Sequence, residues 1–282
     1  MRLSLDPADL RSSVVVAVDG SSHAFRAAQW AAEQASLEHR RLEVVSVGRT
    51  AASVADDAVA EAIRAHPDLA VSGSAVGGDP RQVLIDASAY AHLVVVGSRG
   101  LGAVRSLLLG SVSATVSAHA ACPVVVCRPP TDGGSQAGVV VGADATPESQ
   151  PVIEFAYRLA SVRSLPLTLV HTYWDAAVVL AQYREARGET ASWPELEDLR
   201  ATLAESTAGL AEQYPDVAFT LTLKHGFADE AISPRHGGWD LIVVGRHPMT
   251  SLGRVLTGSI ATAVVERAQS TVAVVPQELR SS

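Results

Sequence analysis

Lysine is almost missing from this 282-residue chain: Lys224 is the single one, and the formal charge is −8 with histidine neutral. A protein that grips nucleic acid by neutralising phosphates needs a basic patch. No run of Lys and Arg supplies one here, so nucleic acid is not an expected partner. Aromatic residues are also scarce, at 5%. The apolar share is 48%, too high for a disordered chain. Being mostly Ala and Val, it favours helices lying close on buried strands. No apolar run approaches the ~18 residues that span a bilayer, and residues 1–11 lack the apolar core of a signal peptide. No membrane association is expected, and the cytoplasm is the expected location. Only two cysteines occur, Cys122 and Cys127, bracketing an apolar run at 123–126. They lack His or Cys neighbours at metal-binding spacing, so no metal site is expected. Five positions apart on a strand, they point to opposite faces, which disfavours a disulfide and suggests reduced, buried thiols.

What the chain does contain is a repeat. Val14-Val15-Val16-Ala17-Val18-Asp19-Gly20-Ser21 matches Val139-Val140-Val141-Gly142-Ala143-Asp144-Ala145-Thr146. Each is an apolar run ending in Asp, a small residue and a hydroxyl. Later, Leu93-Val94-Val95-Val96-Gly97-Ser98-Arg99-Gly100 matches Leu241-Ile242-Val243-Val244-Gly245-Arg246-His247-Pro248. Gly97 and Gly110-Ser111 are separated by 13 positions, as are Gly245 and Gly258-Ser259. The two Asp residues lie 125 positions apart and the two strand-ending glycines 148 apart. The second copy therefore holds 23 extra residues between these landmarks, assigned to 174–214. The Pro/Gly/Ser-rich stretch at 129–135 reads as a linker. The expected organisation is a first domain at 1–130, a linker at 131–136 and a second domain at 137–282.

Continuous Val-rich runs of five or six residues read as strands buried on both faces. They predict strands near 13–18, 42–47, 69–76, 93–97 and 123–127, then 138–143, 166–172, 217–224, 240–245 and 271–275. Helical patterns alternate with them at 22–37, 52–65, 80–91 and 110–120, then 148–162, 195–213, 227–234 and 258–268. Alternating strand and helix predicts an α/β protein of two tandem, doubly wound parallel sheets. With strand order 3-2-1-4-5, strands one and four flank the crevice where ligands bind such sheets.

That crevice receives the chemistry. Gly97 ends strand four, Gly100 follows, and Gly110-Ser111 opens the next helix. Glycines let a bound group approach the backbone, and the free N–H groups of a helix N-terminus favour an anion. A phosphate there would be held by the N–H groups near 110–112 and by the Ser111 hydroxyl. Asp19 ends strand one and faces the same crevice, where a carboxylate can accept from a ribose or base amine. Arg99 and Arg105 lie in the loop. His119 and His247 have no carboxylate or nucleophile at catalytic spacing and read as surface or packing residues. No Gly-x4-Gly-Lys-Ser/Thr loop and no Gly-x-Ser-x-Gly elbow occurs, so no catalytic residue is assigned.

The pattern Gly97-x2-Gly100-x9-Gly110-Ser111, with Val16-Ala17-Val18-Asp19-Gly20-Ser21 upstream and His119-Ala120-Ala121-Cys122-Pro123-Val124 closing the half, resembles the ATP-binding signature of the universal stress protein family. The resemblance covers about 12–276 and looks like the tandem, two-domain, actinobacterial kind, with the adenine nucleotide alpha hydrolase-like fold. It implies ATP, with or without Mg2+, as the ligand. Asp19 would contact the adenosine part, a backbone group at Val47 the adenine, and Ala17 the adenosine pocket. Gly97 would be the glycine ending strand four, and Gly100, Gly110, Ser111 and Val112 would form the phosphate cradle; Arg99, as a loop arginine, is a separate candidate contact for the γ-phosphate. The corresponding second set is Asp144, Thr172, Gly245, Gly258, Ser259 and Ile260. This copy departs from the pattern at Pro248, which stands where the second glycine is expected, offers no N–H and fixes its φ. The first copy should therefore hold nucleotide more tightly than the second.

The function so implied is a cytoplasmic ATP-binding sensor or adaptor in a stress response, acting on a protein partner that the residues do not name. The alternatives are a slow ATP hydrolase or nucleotidyl-transfer enzyme relying on Asp19, a protein that binds no nucleotide, and a binder of a cyclic or other adenine nucleotide. The two copies should pair through their last strands about a pseudo-two-fold axis, because an apolar edge strand needs cover. Two chains are expected to pair further as a homodimer.

Overall fold

A computed structural model describes residues 5–101, 109–129, 137–143, 146–173, 194–233, 238–246 and 260–277. Its ten strands are β1 (Val14–Val18), β2 (Leu42–Val47), β3 (Val71–Val76), β4 (Leu93–Gly97), β5 (Val124–Cys127), β6 (Val139–Gly142), β7 (Leu167–Tyr173), β8 (Phe219–His225), β9 (Leu241–Arg246) and β10 (Thr271–Pro276). They form one sheet in the order β3-β2-β1-β4-β5-β10-β9-β6-β7-β8. Every pairing within a half is parallel. The order 3-2-1-4-5 thus holds in the first half and repeats in the second.

The halves join at the sheet centre, where β5 and β10 pair antiparallel with Val125 opposite Ala273. These residues are separated by 148 positions, the offset between the two strand-ending glycines. A residue that pairs with its own counterpart lies on a two-fold axis. The expected pairing of last strands is therefore present, and it makes two doubly wound units into one continuous sheet with neither apolar edge left open.

The helices are α1 (Pro7–Leu10), α2 (Ser22–Leu37), α3 (Ala51–Ala65), α4 (Pro80–Ser88), α5 (Ser111–His119), α6 (Gln150–Val162), α7 (Pro194–Gln213), α8 (Ala228–Ile232) and α9 (Ile260–Arg267), with a 3-10 turn at Pro147–Ser149. Successive strand residues face opposite layers: Val14, Val16 and Val18 pack with α2, α3, α6 and α7, while Val15 packs with α4, α5, α8 and α9. α2 lays a stripe of Ala24, Ala27, Ala28, Ala31, Ala32 and Ala35 on the sheet, all buried. That is helical spacing of small side chains, which lets the helix axis approach closely. Ser21 starts this helix, its Oγ accepting from the Ala24 N–H at 3.1 Å. Asp79 followed by Pro80 does the same for α4. α1, capped by Asp6, is an element the periodicity does not predict, being only four residues long. Cys122 and Cys127 are free and buried in opposite layers, and burial pushes the Cys122 thiol up to about 12. The linker at 131–136 lies outside the described residues, as does 174–193 of the longer second copy.

Candidate functional site

In the first half the chain runs outward through β1, β2 and β3, then returns to the other side of β1 as β4. The crevice at this reversal opens beyond the carboxyl ends of β1 and β4. Asp19 stands there, directly after β1. Its Oδ1 accepts from the Ser21 N–H at 3.0 Å, closing a local turn whose left-handed residue is Gly20, φ +85°. Its Oδ2 accepts from the Leu101 N–H at 2.9 Å, across 82 positions of sequence. One carboxylate thus ties the β1–α2 turn to the loop leaving β4, with lone pairs to spare.

The glycines differ in why they are glycine. A Cβ on Gly97 would stand 2.7 Å from the backbone carbon of His23 and 2.8 Å from its oxygen, so β4 ends pressed against the first turn of α2. A Cβ on Gly100 would stand 2.4 Å from Asp19 Oδ2. Gly110 has no such reason: its φ of −77° and ψ of 150° suit any residue, and nothing lies closer than 3.5 Å to where its Cβ would be. A Cβ there would make only ordinary contacts, 3.5–3.8 Å from the Ser98, Arg99 and Gly100 backbone.

Gly110 also corrects an expectation. Its N–H donates to the Ser98 carbonyl at 2.8 Å, drawing the two ends of the loop together. That N–H is committed to holding the loop neck, which leaves Ser111 and Val112 as the donors expected of the cradle. No side chain caps α5. Ser111 is exposed, while Ser113 Oγ donates to the Gly97 carbonyl at 2.6 Å and fixes the helix start against the end of β4.

Ala17 and Val47 are half-buried at the ends of β1 and β2. With Val76, which pairs with Val47, and with Val83, Leu109 and Val112, they are partly buried against the same core layer. Val76 and Val83 come from β3 and α4, and repeat matching gives no signal for them. Ser98 is buried with Oγ 3.1 Å from His23 Nδ1. Burial, followed by the charges of Arg26, Arg99 and Arg128, holds the His23 imidazole below its usual range against the pull of Asp19. Arg99 is half-buried, and its Nε has no hydrogen-bond partner among the described residues. The β4 loop is thus a basic neighbourhood with Asp19 at its rim. Arg105 lies outside the described residues.

The second crevice is built differently. Gly142 stands at the position of Ala17, and Ile232 packs onto it so closely that a Cβ there would lie 3.2 Å from Ile232 Cδ1. Thr172 replaces Val47, and Lys224, whose Nζ donates to the Ala231 carbonyl at 3.4 Å, replaces Val76. His171 Nδ1 lies 2.7 Å from the Ala143 carbonyl. Gly245, one residue before the end of β9, lies against Val152 and Gln277, and Ile260 is exposed at the start of α9. Asp144, His247, Pro248, Gly258 and Ser259 lie outside the described residues. A separate groove of about 400 Å3 lies between α2 and α3, lined by Phe25, Trp30, Ala58, Ala62 and His66 among others. It lacks the phosphate loop and Asp19, so we place the candidate site at the strand ends.

Comparison with known proteins agrees with this architecture. The profile of the Universal stress protein family matches residues 11–128 and again 138–276. A universal stress protein of Mycobacterium tuberculosis is 31% identical over 293 aligned residues, covering 94% of this chain and 97% of that protein. A second from the same organism is 29% identical, with 94% and 97% covered. Among solved structures, a functionally unknown protein of Pseudomonas aeruginosa superposes with a TM-score of 0.66 at 18% identity, covering 95% of this chain and 93% of its own. A universal stress protein of Archaeoglobus fulgidus gives 0.63 at 17%, covering 94% and 98%. At these identities the two structures speak for the fold alone.

Proposed function

The chain belongs to the universal stress protein family, and from that premise we propose that its first copy binds an adenine nucleotide, ATP, in a protein that acts as a sensor or adaptor rather than as an enzyme. The observation that carries this reading is the uncapped start of α5 at Gly110 and Ser111. Among the described residues no packing contact requires glycine at 110, and no side chain caps the helix start. An anion is the ligand such a helix end favours. The wall of Ala17, Val47, Val76 and Val83 suits the flat apolar face of a base, and the unused lone pairs of Asp19 suit a ribose hydroxyl. The Ser111 and Val112 N–H groups and the Ser111 hydroxyl would hold the phosphates, with the Arg99 charge beside them. ATP would bring an anionic tail to the end of β4 and the start of α5, and a filled crevice is a surface change that a partner can read.

The test is to denature freshly purified protein, identify any released nucleotide by chromatography, and titrate the emptied protein with ATP, with and without Mg2+. Released or bound adenine nucleotide supports the reading. Neither release nor binding overturns it. Turnover well above background that Asp19→Ala abolishes would replace the sensor by a slow hydrolase.

A further inference from the structure

α2 and α6 end in the same way. Each closes with a left-handed residue other than glycine, His39 at φ 52° and Ser164 at φ 53°. The Arg40 N–H donates to the Ala35 carbonyl in one, and the Leu165 N–H to the Ala160 carbonyl in the other. These matches fix the offset between the helices at 125, the spacing of the two Asp residues. Glu33 therefore corresponds to Arg158, and Glu38 to Arg163.

These four residues meet across the junction of the copies. Arg163 Nη1 stands 3.0 Å from Glu33 Oε2, and Arg158 Nε stands 3.1 Å from Glu38 Oε1. Position i of one copy meets position j of the other, and j meets i, as a two-fold axis requires. The charge breaks the symmetry, because the first copy supplies both acids and the second both guanidiniums. Arg163 is further seated by the Gln34 side-chain oxygen at 2.8 Å and by the Trp30 ring, 4.4 Å from its guanidinium. Glu38, only 5% exposed, also faces His92 at 3.0 Å and Arg40 at 3.7 Å.

The strand edges cannot make this distinction. Val124-Val125-Val126 and Val272-Ala273-Val274 are both apolar, and a first-copy edge could pair as well with another first copy. Such a pairing would set four carboxylates together at the helices, and two second copies would set four guanidiniums together. Like charges facing each other reject a partner more strongly than ion pairs attract one. Near Glu38 that repulsion is poorly screened, because the carboxylate is out of solvent. The Glu33 pair is half-exposed and contributes less.

We propose that Glu33, Glu38, Arg158 and Arg163 form a pairing code: the first copy's α2 face accepts only an oppositely charged α6 face, that of a second copy from its own or another chain of this protein. The code keeps the two units paired one-to-two whichever chain they come from.

The test uses the full-length chain. Glu33→Arg with Glu38→Arg, and separately Arg158→Glu with Arg163→Glu, should each lower the thermal midpoint by about 5 °C or more. The quadruple exchange should recover most of that loss, because opposite charges face each other again. When the two double variants are unfolded and refolded together, native mass spectrometry should find particles containing both. Each first copy then meets its complement only on the other chain. A quadruple variant no more stable than the doubles, midpoints that do not move, or particles made of one variant alone would overturn the code.

Discussion

The Asp19 carboxylate accepts the Leu101 N–H at 2.9 Å, so the end of β1 holds the start of the loop that leaves β4. Gly100 makes this possible, since a Cβ there would stand 2.4 Å from Asp19 Oδ2. Asp19→Ala should weaken ATP binding by roughly ten- to a hundredfold, the range of one lost hydrogen bond to a charged group. Gly100→Ala should weaken it too, by pushing the carboxylate off the loop. Because both act through one contact, the double variant should lose less than the two single losses combined. Calorimetric titration of the three variants measures this. Fully additive losses would show that Gly100 and Asp19 act separately.

Gly97 and Gly110 should separate stability from binding. A methyl group at Gly97 meets the His23 backbone, which cannot move aside without shifting α2. Gly97→Ala should therefore cost about 1–3 kcal/mol, the usual penalty of overpacking. At Gly110 a methyl meets only ordinary contacts, so Gly110→Ala should leave the urea midpoint almost unchanged. Gly110→Val, with a branched side chain in the phosphate space, should weaken ATP binding while the fold survives. Equal destabilisation at both positions would remove the distinction between a packed glycine and an open one.

These glycines also mark where the sequence stops being legible. The strands were readable because buried parallel strands leave unbroken Val runs, and the β5–β10 pairing because an apolar edge needs cover. Asp19 and the glycine spacing located the crevice for the same reason, being repeated at matching intervals. The purpose of each glycine was not readable. Gly97 and Gly110 look alike as letters, and only the position of α2 shows that one is a packing requirement. Val76 and Val83 reach the crevice from β3 and α4, far from any motif. The Glu33, Glu38, Arg158 and Arg163 pairs look like ordinary surface charges until the copies are set about the axis through Val125 and Ala273.

Acid should loosen the junction of the copies in two steps. Burial holds the His92 imidazole below 6.5, outweighing the Glu38 hydrogen bond that pulls it up. The unfolded chain then binds the proton more readily, so stability falls as pH drops below about 6.5. Burial pushes the Glu38 carboxyl up, but the His92 hydrogen bond and the Arg158 and Arg40 charges together hold it below 4.5. Its contribution is present above that value and is lost as pH falls through the lower folded one. His92→Gln should flatten the first step and reduce the second, which the Arg158 and Arg40 charges still sustain. Urea unfolding from about pH 7.5 down to about pH 3 checks this, and an unchanged first step would assign it to another group.

One nucleotide per chain is the expected stoichiometry. The first crevice offers an apolar wall, an acid with spare lone pairs and an open helix start. In the second crevice Ile232 presses onto Gly142, and Thr172 and Lys224 stand where Val47 and Val76 line the first. A base stacked there would meet a hydroxyl and the Lys224 ammonium in place of two Val side chains, losing apolar contact and desolvating a charge. Pro248 in the sequence removes an N–H from the loop as well. Calorimetry should therefore fit one site per chain, and Gly110→Val should abolish nearly all the heat at ATP concentrations that saturate the unaltered protein. Substituting Val for both Thr172 and Lys224 should strengthen any weak second event by restoring the wall. A fit requiring two equal sites, or full heat retained in Gly110→Val, would move the nucleotide to the second copy or divide it between both.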